Sequence, residues 1–282
     1  MWSQGMVVLQ AQQTGRGKDG LMLADYHMHT SFSDGSGEPS DLVRRACELG
    51  LPEVGICDHL LPASARDEYG IPHHRLQEYV KAVRDVARDS VVTVLLGVEV
   101  DFVPGAMDEL NGPLALCRPD YVIGSVHEVA GLAFDDPAQR AALDGADLHA
   151  LWVDYFRLVG LAAACGRFDV LGHFDLVKKF GRRPPLTRAI VIAAREALAA
   201  AAAHGVALEL NTSGWRHPVG EQYPTLALLR HARELGVPLT FGSDAHAPSC
   251  VAHRFPDAVE LAREAGYSTW LRLSDRSEVP LP

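Results

Sequence analysis

From residue 21 onward, short apolar or β-branched runs alternate with longer segments of helical periodicity. This alternation is typical of repeated βα units around a parallel sheet. Strands are predicted over residues 21–27, 53–58, 92–101, 120–126, 169–174, 206–212, 238–243 and 268–272. Helices are predicted over Pro39–Gly50, Arg75–Arg88, Leu148–Ala164, Thr187–His204 and Pro224–Leu235. About seven or eight such units in series favour an α/β fold of the barrel type.

The length of the chain does not decide the number of domains. A chain of 282 residues can form two domains, but α/β barrels reach this length as one unit. No Ser/Pro-rich linker or change of composition divides the sequence. We therefore predict a loose N-terminal extension over residues 1–20, rich in Gln and Gly, and one barrel domain over residues 21–282.

Composition excludes several classes of protein. A formal net charge of −10 disfavours nucleic acid as a partner, because contacts to phosphate backbones need clustered Lys and Arg. The five cysteines are scattered and odd in number, which argues against a disulfide framework and favours the reducing cytoplasm. The short apolar stretch near the N-terminus has no basic segment before it, and no run approaches the length of a membrane span, so we expect no export and no membrane.

Metal-binding side chains recur where the predicted strands end. The positions are His27 and His29, His59, Glu99, His127, His173, Asp244 and His246. In a parallel barrel all strand ends of one polarity lie on the same face, so we expect these side chains to converge. Because side chains alternate along a strand, His27 and His29 point the same way and can reach one ion.

Single members of this set are weak signals. A lone His-x-His pair is common on surfaces and in cores, and one Asp-His pair such as Asp58-His59 means still less. Glu99 is more informative, because a carboxylate within an apolar strand is costly to bury without a cation or strong donors. The joint occurrence at six strand ends favours a metal centre. The other seven histidines fall in predicted helices or loops, where most are interpreted as surface residues.

These residues resemble the polymerase-and-histidinol-phosphatase (PHP) superfamily, and within it the histidinol phosphatases. The resemblance covers roughly residues 24–270. It is carried by the motifs at residues 27–35, 57–59, 121–127, 209–216 and 242–246. The first and last motifs identify the superfamily, and the segments that begin at Tyr121 and Asn211 favour the histidinol-phosphatase branch.

The resemblance implies a distorted barrel of seven βα units, with three divalent ions at the carboxyl ends of its strands. The implied ligands are His27, His29, Glu99 and Asp244 for a first ion, Glu99, His127 and His173 for a second, and Asp34, His59 and His246 for a third. Glu99 bridges the first two ions. The expected catalytic residues are Glu99, His127, Asp244 and His246. Mixed imidazole and carboxylate ligands suit zinc, manganese or iron.

The implied reaction is hydrolysis of L-histidinol phosphate to L-histidinol and phosphate, a step of histidine biosynthesis, so the expected partner is a small phosphorylated substrate. The expected nucleophile is a hydroxide that bridges two ions, because metals lower the pKa of bound water. Arg216 and Lys178 match basic positions of the phosphatase branch and are candidate phosphate ligands. Glu128 departs from the apolar residue expected after His127 and is a candidate for attracting the cationic leaving group, whereas Asp135 and Asp136 are more simply an acidic loop.

Three other functions compete with this interpretation. Another PHP phosphoesterase would act on a nucleotide, an oligonucleotide end or a small cyclic phosphate. A non-catalytic metal-binding module is disfavoured by the complete ligand set. Many metal-dependent amidohydrolases bridge their ions with a carboxylated lysine, but no Lys ends a middle strand here, and Glu99 stands where the bridging carboxylate is needed. The oligomeric state stays open.

Overall fold

The computed structural model describes residues 23–65 and 69–282, so the predicted extension over residues 1–20 lies outside the described part. The strands are β1 (Glu53–Ile56), β2 (His59–Leu60), β3 (Thr93–Asp101), β4 (Tyr121–Ser125), β5 (Glu128–Val129), β6 (Leu132–Ala133), β7 (Val170–Leu171), β8 (Ala207–Asn211), β9 (Leu239–Gly242), β10 (Thr269–Leu271) and β11 (Glu278–Pro280). The α-helices are α1 (Pro39–Leu49), α2 (Leu76–Asp89), α3 (Asn111–Cys117), α4 (Leu148–Ala164), α5 (Arg188–His204), α6 (Leu226–Glu234) and α7 (Phe255–Glu264).

A parallel sheet in the order β1, β3, β4, β7, β8, β9 forms the centre of the fold, and β2 continues β1 alongside β3. The two edges of this sheet are joined by the segment that carries the first histidines. Asp25 bridges Val54 of β1, and Met28 bridges Ala245 just after β9, both in parallel. Seven parallel members therefore surround the centre, which confirms the predicted distorted barrel of seven βα units.

Two predicted strands differ from the observed ones. Within the described part of 21–27, the chain is extended and makes single bridges instead of a regular strand. The predicted strand over 268–272 exists as β10, but it pairs antiparallel with β11 outside the barrel. Because the first segment already joins the sheet edges, β10 has no free barrel edge to pair with.

The predicted helices match the observed ones to within one or two residues at most ends. Local signals explain this agreement. Pro39 occupies the first turn of α1, and Gly50 ends it with a φ of 74°, a left-handed conformation that favours glycine. The Thr187 side chain accepts a hydrogen bond from the backbone of Ile190 and so caps α5. Helices α3 and α7 were not among the predicted elements.

Aromatic packing fills the barrel interior. A Cβ atom added at Gly55 would lie 2.0 Å from the hydroxyl oxygen of Tyr121, and one added at Gly97 would lie 2.4 Å from its Cζ, so glycine leaves room for this side chain. The Tyr121 hydroxyl donates a hydrogen bond to the backbone oxygen of Tyr26 at 2.6 Å. The interior is a packed core, as in other α/β barrels. Among the helices of the described residues, we find none with the length and apolar character needed to cross a membrane.

Candidate metal centre

All nine predicted metal ligands lie together at the carboxyl ends of the barrel strands. His27 and His29 belong to the segment that joins the sheet edges, and Asp34 lies in the turn that follows it. A cavity of about 690 Å³ opens above them. Seven of the nine line its wall, namely Asp34, His59, Glu99, His127, His173, Asp244 and His246. His27 and His29 are fully buried.

Glu99 is the centre of the cluster, with five imidazole rings around its two carboxylate oxygens. Its Oε2 lies 3.2 Å from His27 Nε2, 3.4 Å from His29 Nε2 and 3.0 Å from His59 Nδ1. Its Oε1 lies 2.9 Å from His173 Nε2 and 3.7 Å from His127 Nε2. One carboxylate thus faces two separate groups of histidines.

A second group lies on the solvent side of Glu99. Asp34 Oδ2 is 3.1 Å from His246 Nε2, and Asp34 Oδ1 is 3.7 Å from His59 Nε2. Asp244 Oδ1 lies 3.3 Å from His29 Nε2 and 3.5 Å from His246 Nδ1. His59 therefore faces Glu99 with one ring nitrogen and Asp34 with the other.

The buried polar atoms of this cluster fit divalent cations. The atoms without a hydrogen-bond partner among the described residues include His27 Nε2, both ring nitrogens of His29, His59 Nδ1, Glu99 Oε2 and His173 Nδ1. Two ligands about 2.1 Å from one tetrahedral ion stand roughly 3.4 Å apart, which resembles the spacing seen around Glu99. Buried donors and acceptors without partners are costly, and bound cations would satisfy those that face Glu99.

The pKa shifts within the cluster agree with a site for divalent cations. Burial would raise the pKa of Glu99, but His59 and His27 hold it well below its usual range. Burial would likewise lower the pKa of His127, yet the Asp101 carboxylate raises it to about 10. For His59, burial dominates and lowers the pKa to about 4. Glu99 is thus an anion in the interior, with a charge that cations can offset.

Two of the predicted ligands have unusual backbone conformations. His173 and Asp244 have φ angles of 22° and 52°, in the region that residues other than glycine rarely adopt. Each is the second residue after a barrel strand, where the chain must turn the side chain toward the cluster. Such local strain costs on the order of 1–3 kcal/mol and is typical of functional sites.

A second layer of carboxylates surrounds the ligands. Asp101 Oδ1 lies 2.8 Å from His127 Nδ1, and Tyr69 donates a hydrogen bond to Asp101 Oδ2. Glu209 Oε1 lies 2.6 Å from His27 Nδ1. Sequence reasoning missed Asp101 and Glu209 as functional residues. The available signal was the same as for Glu99, a carboxylate within an otherwise apolar strand.

The predicted substrate-binding residues are placed unequally. Arg216 lines the cavity, where it donates hydrogen bonds to the backbone oxygens of Ser243 and Asp244 at 2.9 and 2.8 Å. Lys178 is instead fully buried outside the cavity wall, with Nζ 2.9 Å from Asp175 and 2.6 Å from Glu221. This arrangement does not support Lys178 as a phosphate ligand, because its ammonium group is buried and does not line the cavity.

Glu128 is also placed away from the cavity, as an exposed residue of the short strand β5. The outer wall is lined by the charged residues Asp135, Asp136 and Lys179 and by His217, whose pKa is lowered by burial to about 4. Lys179 Nζ lies 3.2 Å from Asp135 Oδ2. The cavity wall, where Lys178 and Glu128 were predicted to lie, is therefore lined by Lys179, Asp135 and Asp136.

Several known proteins are similar to this chain in sequence. The PHP domain model matches residues 25–213. A probable histidinol-phosphatase of Deinococcus radiodurans is 39% identical over 251 residues, which cover 88% of this chain and 95% of that protein. The histidinol-phosphatase of Bacillus subtilis is 26% identical, over 84% of this chain and 98% of that protein.

Solved structures show the same fold. A histidinol phosphate phosphatase from Lactococcus lactis, solved with zinc, L-histidinol and phosphate, superposes with a TM-score of 0.71 at 24% identity, over 91% of this chain and 98% of that one. These similarities confirm the predicted resemblance to the PHP superfamily and its histidinol-phosphatase branch. The chain belongs to the PHP domain family, in the branch that contains the histidinol-phosphatases.

Proposed function

We propose that this protein is a metal-dependent phosphomonoesterase that hydrolyses L-histidinol phosphate to L-histidinol and phosphate. The observation that carries the proposal is the arrangement of five imidazoles around the buried carboxylate of Glu99, at the base of an open cavity. The relative from Deinococcus radiodurans supports the choice of substrate, since it aligns over nearly the full length of both chains.

The donor groups suit three divalent ions. A first ion would be held by His27, His29, Glu99 and Asp244, a second by Glu99, His127 and His173, and a third by Asp34, His59 and His246. The distances support several ions in one connected cluster, because donor atoms of Asp34, His59 and His246 lie within 4.8 Å of one another and of His29, and those of His27, Glu99 and His173 form a second such group. Zinc, manganese and iron all accept such ligands. The zinc-bound relative favours zinc.

When bound, the ions would supply an activated water as the nucleophile and neutralise charge on the phosphoryl oxygens. The protein contributes the spacing between them. Because Glu99 directs one oxygen toward each group of histidines, it would set the distance between the first two ions. The surrounding ligands carry fewer negative charges than three divalent ions carry positive ones, so the site would attract a phosphate despite the acidic chain.

Two basic side chains of the cavity wall would orient the phosphate. Arg216 is anchored by backbone oxygens next to the ligand Asp244, which directs its guanidinium group along the wall. Lys179 lies on the same wall. A guanidinium and an ammonium donate hydrogen bonds to phosphate oxygens without needing to change protonation state.

The leaving group would lie toward the outer wall. Histidinol carries an ammonium group and an imidazole, and both are attracted by carboxylates. Asp135 and Asp136 line the cavity and supply that negative charge. Tyr69 also lines it and would offer a ring face beside them. The wall therefore combines cationic groups for the phosphate with anionic groups for the alcohol portion.

The test is phosphate release from L-histidinol phosphate beside an aryl phosphate, a nucleoside monophosphate and a phosphodiester, each with zinc or manganese added. We expect L-histidinol phosphate to be hydrolysed with a kcat/KM far above the others. Preferential cleavage of the nucleotide or the phosphodiester would overturn the substrate and favour another PHP phosphoesterase. Metal binding without hydrolysis of any substrate would favour a non-catalytic module.

A further inference from the structure

Glu209, in the middle of β8, is a buried carboxylate that is not one of the nine ligands. It is 1% exposed and lies directly behind the cluster. Asp25 and Asp58, two other buried carboxylates nearby, accept hydrogen bonds mainly from backbone and hydroxyl groups. Glu209 instead contacts the ligands themselves, which gives it a different role.

The two oxygens of Glu209 reach ligands of two different metal positions. Oε1 lies 2.6 Å from His27 Nδ1. Oε2 accepts a hydrogen bond from the backbone N–H of His173 at 2.8 Å and another from Asn211 Nδ2 at 3.0 Å. His27 belongs to the proposed first position and His173 to the second. One buried side chain therefore connects both.

The orientation of the Asn211 amide is determined by its neighbours. Asn211 Oδ1 accepts hydrogen bonds from the backbone N–H and the hydroxyl of Ser213, at 2.9 and 2.7 Å. The NH₂ group of Asn211 must therefore face Glu209. It also lies 3.4 Å from Oδ2 of the ligand Asp244. Asn211 thus presents a donor to Glu209, and turning its amide to present an acceptor would place the NH₂ group against the backbone N–H of Ser213.

The backbone leaves space for this carboxylate. A Cβ atom added at Gly242, at the end of β9, would lie 1.9 Å from Glu209 Oε1 and 2.6 Å from the Cβ of His27. No side chain larger than hydrogen fits there without moving Glu209 or His27. Glycine at this position keeps the contact between Glu209 and His27 short.

We propose that Glu209 is a positioning residue that orients the ligands of the first and second metal positions together. Glu209 accepts a hydrogen bond from the Nδ1–H group of His27. The Nε2 atom of this ring therefore keeps a free lone pair, directed at Glu99 from 3.2 Å. By accepting the backbone N–H of His173, it holds the strained turn that directs this ring to the other oxygen of Glu99. Carboxylates behind metal-bound histidines commonly fix the tautomer in this way.

The chemistry requires a carboxylate and not an amide. The partners of Glu209 are all donors, namely the Nδ1–H of His27, the backbone N–H of His173 and the NH₂ of Asn211. A glutamine has one accepting and one donating end. If its NH₂ faced His173 and Asn211, donors would meet donors. If its NH₂ faced His27, the His27 proton would have to move to Nε2, which would then lose its free lone pair.

The test is zinc affinity of Glu209→Gln, measured by competition with a chromophoric chelator in the absence of substrate. We expect affinity to fall by about 10–100-fold while circular dichroism shows an unchanged fold. In the zinc-loaded wild type, ¹⁵N NMR should show the His27 proton on Nδ1. The matched control is Glu53→Gln, which alters another buried glutamate, one bonded to Tyr26 and Ser274. We expect it to lower stability without changing zinc affinity.

Zinc affinity equal to that of the wild type in a folded Glu209→Gln protein would overturn the inference. If that variant does not fold, Glu209→Asp decides, because it keeps two accepting oxygens but is one methylene shorter. Weakened zinc binding by Glu209→Asp supports the positioning role, and unchanged binding overturns it. The inference rests on the proposed metal centre and not on the substrate. A wild type that binds no zinc would defeat the proposed function, whereas equal binding by wild type and variant defeats only the role of Glu209.

Discussion

Glu99 and Asp58 are both fully buried carboxylates next to the same cavity, yet their surroundings differ. Asp58 accepts hydrogen bonds from the backbone N–H groups of Thr30 and Ser33, at 2.7 and 3.2 Å, and from both of their hydroxyls. Glu99 accepts one hydroxyl hydrogen bond, from Ser125, and is otherwise surrounded by imidazole nitrogens.

The difference separates a structural carboxylate from a functional one. The donors around Asp58 come from the loop that carries Asp34, so this carboxylate anchors the loop. The nitrogens around Glu99 include several without any hydrogen-bond partner, and leaving such groups buried costs about 1–3 kcal/mol each. Bound cations would satisfy those nitrogens that face Glu99. Burial alone therefore does not distinguish a candidate metal ligand, whereas burial among imidazole nitrogens without partners supports that assignment.

The largest effect is expected from Glu99→Gln. The substitution preserves shape but removes the charge that would hold two ions, so we expect turnover to fall by at least about 10²–10³-fold. Metal content, measured by plasma emission spectroscopy, should fall with it. A variant that keeps near-normal turnover would refute the shared role of Glu99 in two metal positions.

Metal binding should stabilise the fold. Free zinc at about 100 times its Kd adds about 2.7 kcal/mol to the free energy of unfolding, if zinc binds only the native state. Chemical denaturation with and without zinc measures this gain. The gain should be much smaller in Glu99→Gln and unchanged in Asp58→Asn. An equal gain in Glu99→Gln and the wild type would remove the distinction between the two carboxylates.

Asp58→Asn should have the opposite profile to Glu99→Gln. Its amide would place a donor against the donors of Thr30 or Ser33, so we expect a loss of about 1–3 kcal/mol in the free energy of unfolding. Turnover should fall far less than in Glu99→Gln, because only the loop that carries Asp34 loosens. A catalytic loss as large as that of Glu99→Gln, at unchanged stability, would contradict the anchoring role.

The smallest effect concerns the pH dependence of the metal-free protein. Burial would lower the pKa of His127, but Asp101 raises it from 6.5 to about 10. A raised pKa contributes stability that is complete below pH 6.5 and is lost as the pH rises through about 10. The melting temperature of the metal-free protein should therefore decline between about pH 7 and 9, and less so in Asp101→Asn. A melting temperature that rises over this window in the wild type but not in Asp101→Asn would contradict the ion pair between His127 and Asp101.

Local patterns in the sequence predicted the barrel and the eight candidate ligands at strand ends, whereas Asp34 was added by the resemblance to the PHP superfamily. Strand ends are visible as apolar runs followed by polar residues, and parallel topology brings them to one face. Local patterns did not predict how the sheet closes into a barrel. The segment that begins near Leu23 makes only single bridges, and the pairing of β10 depends on whether an edge is free, which is a property of the whole fold.

The cavity wall was harder to predict than the ligands. Lys178 and Lys179 are neighbours in sequence, but a short 3₁₀ turn over Leu176–Lys178 buries the first and leaves the second on the wall. The direction of a side chain in such a turn depends on tertiary packing. Glu209 was missed for another reason, since its partners come from distant strands.

The most direct test of the account is phosphate release from L-histidinol phosphate by one preparation in three states: as purified, after chelation, and after zinc or manganese is restored. We predict that chelation abolishes turnover and that restoring the metal recovers it in the wild type but not in Glu99→Gln. Full turnover after complete removal of metal, verified by plasma emission spectroscopy, would contradict the proposal that the cluster around Glu99 works as a metal centre.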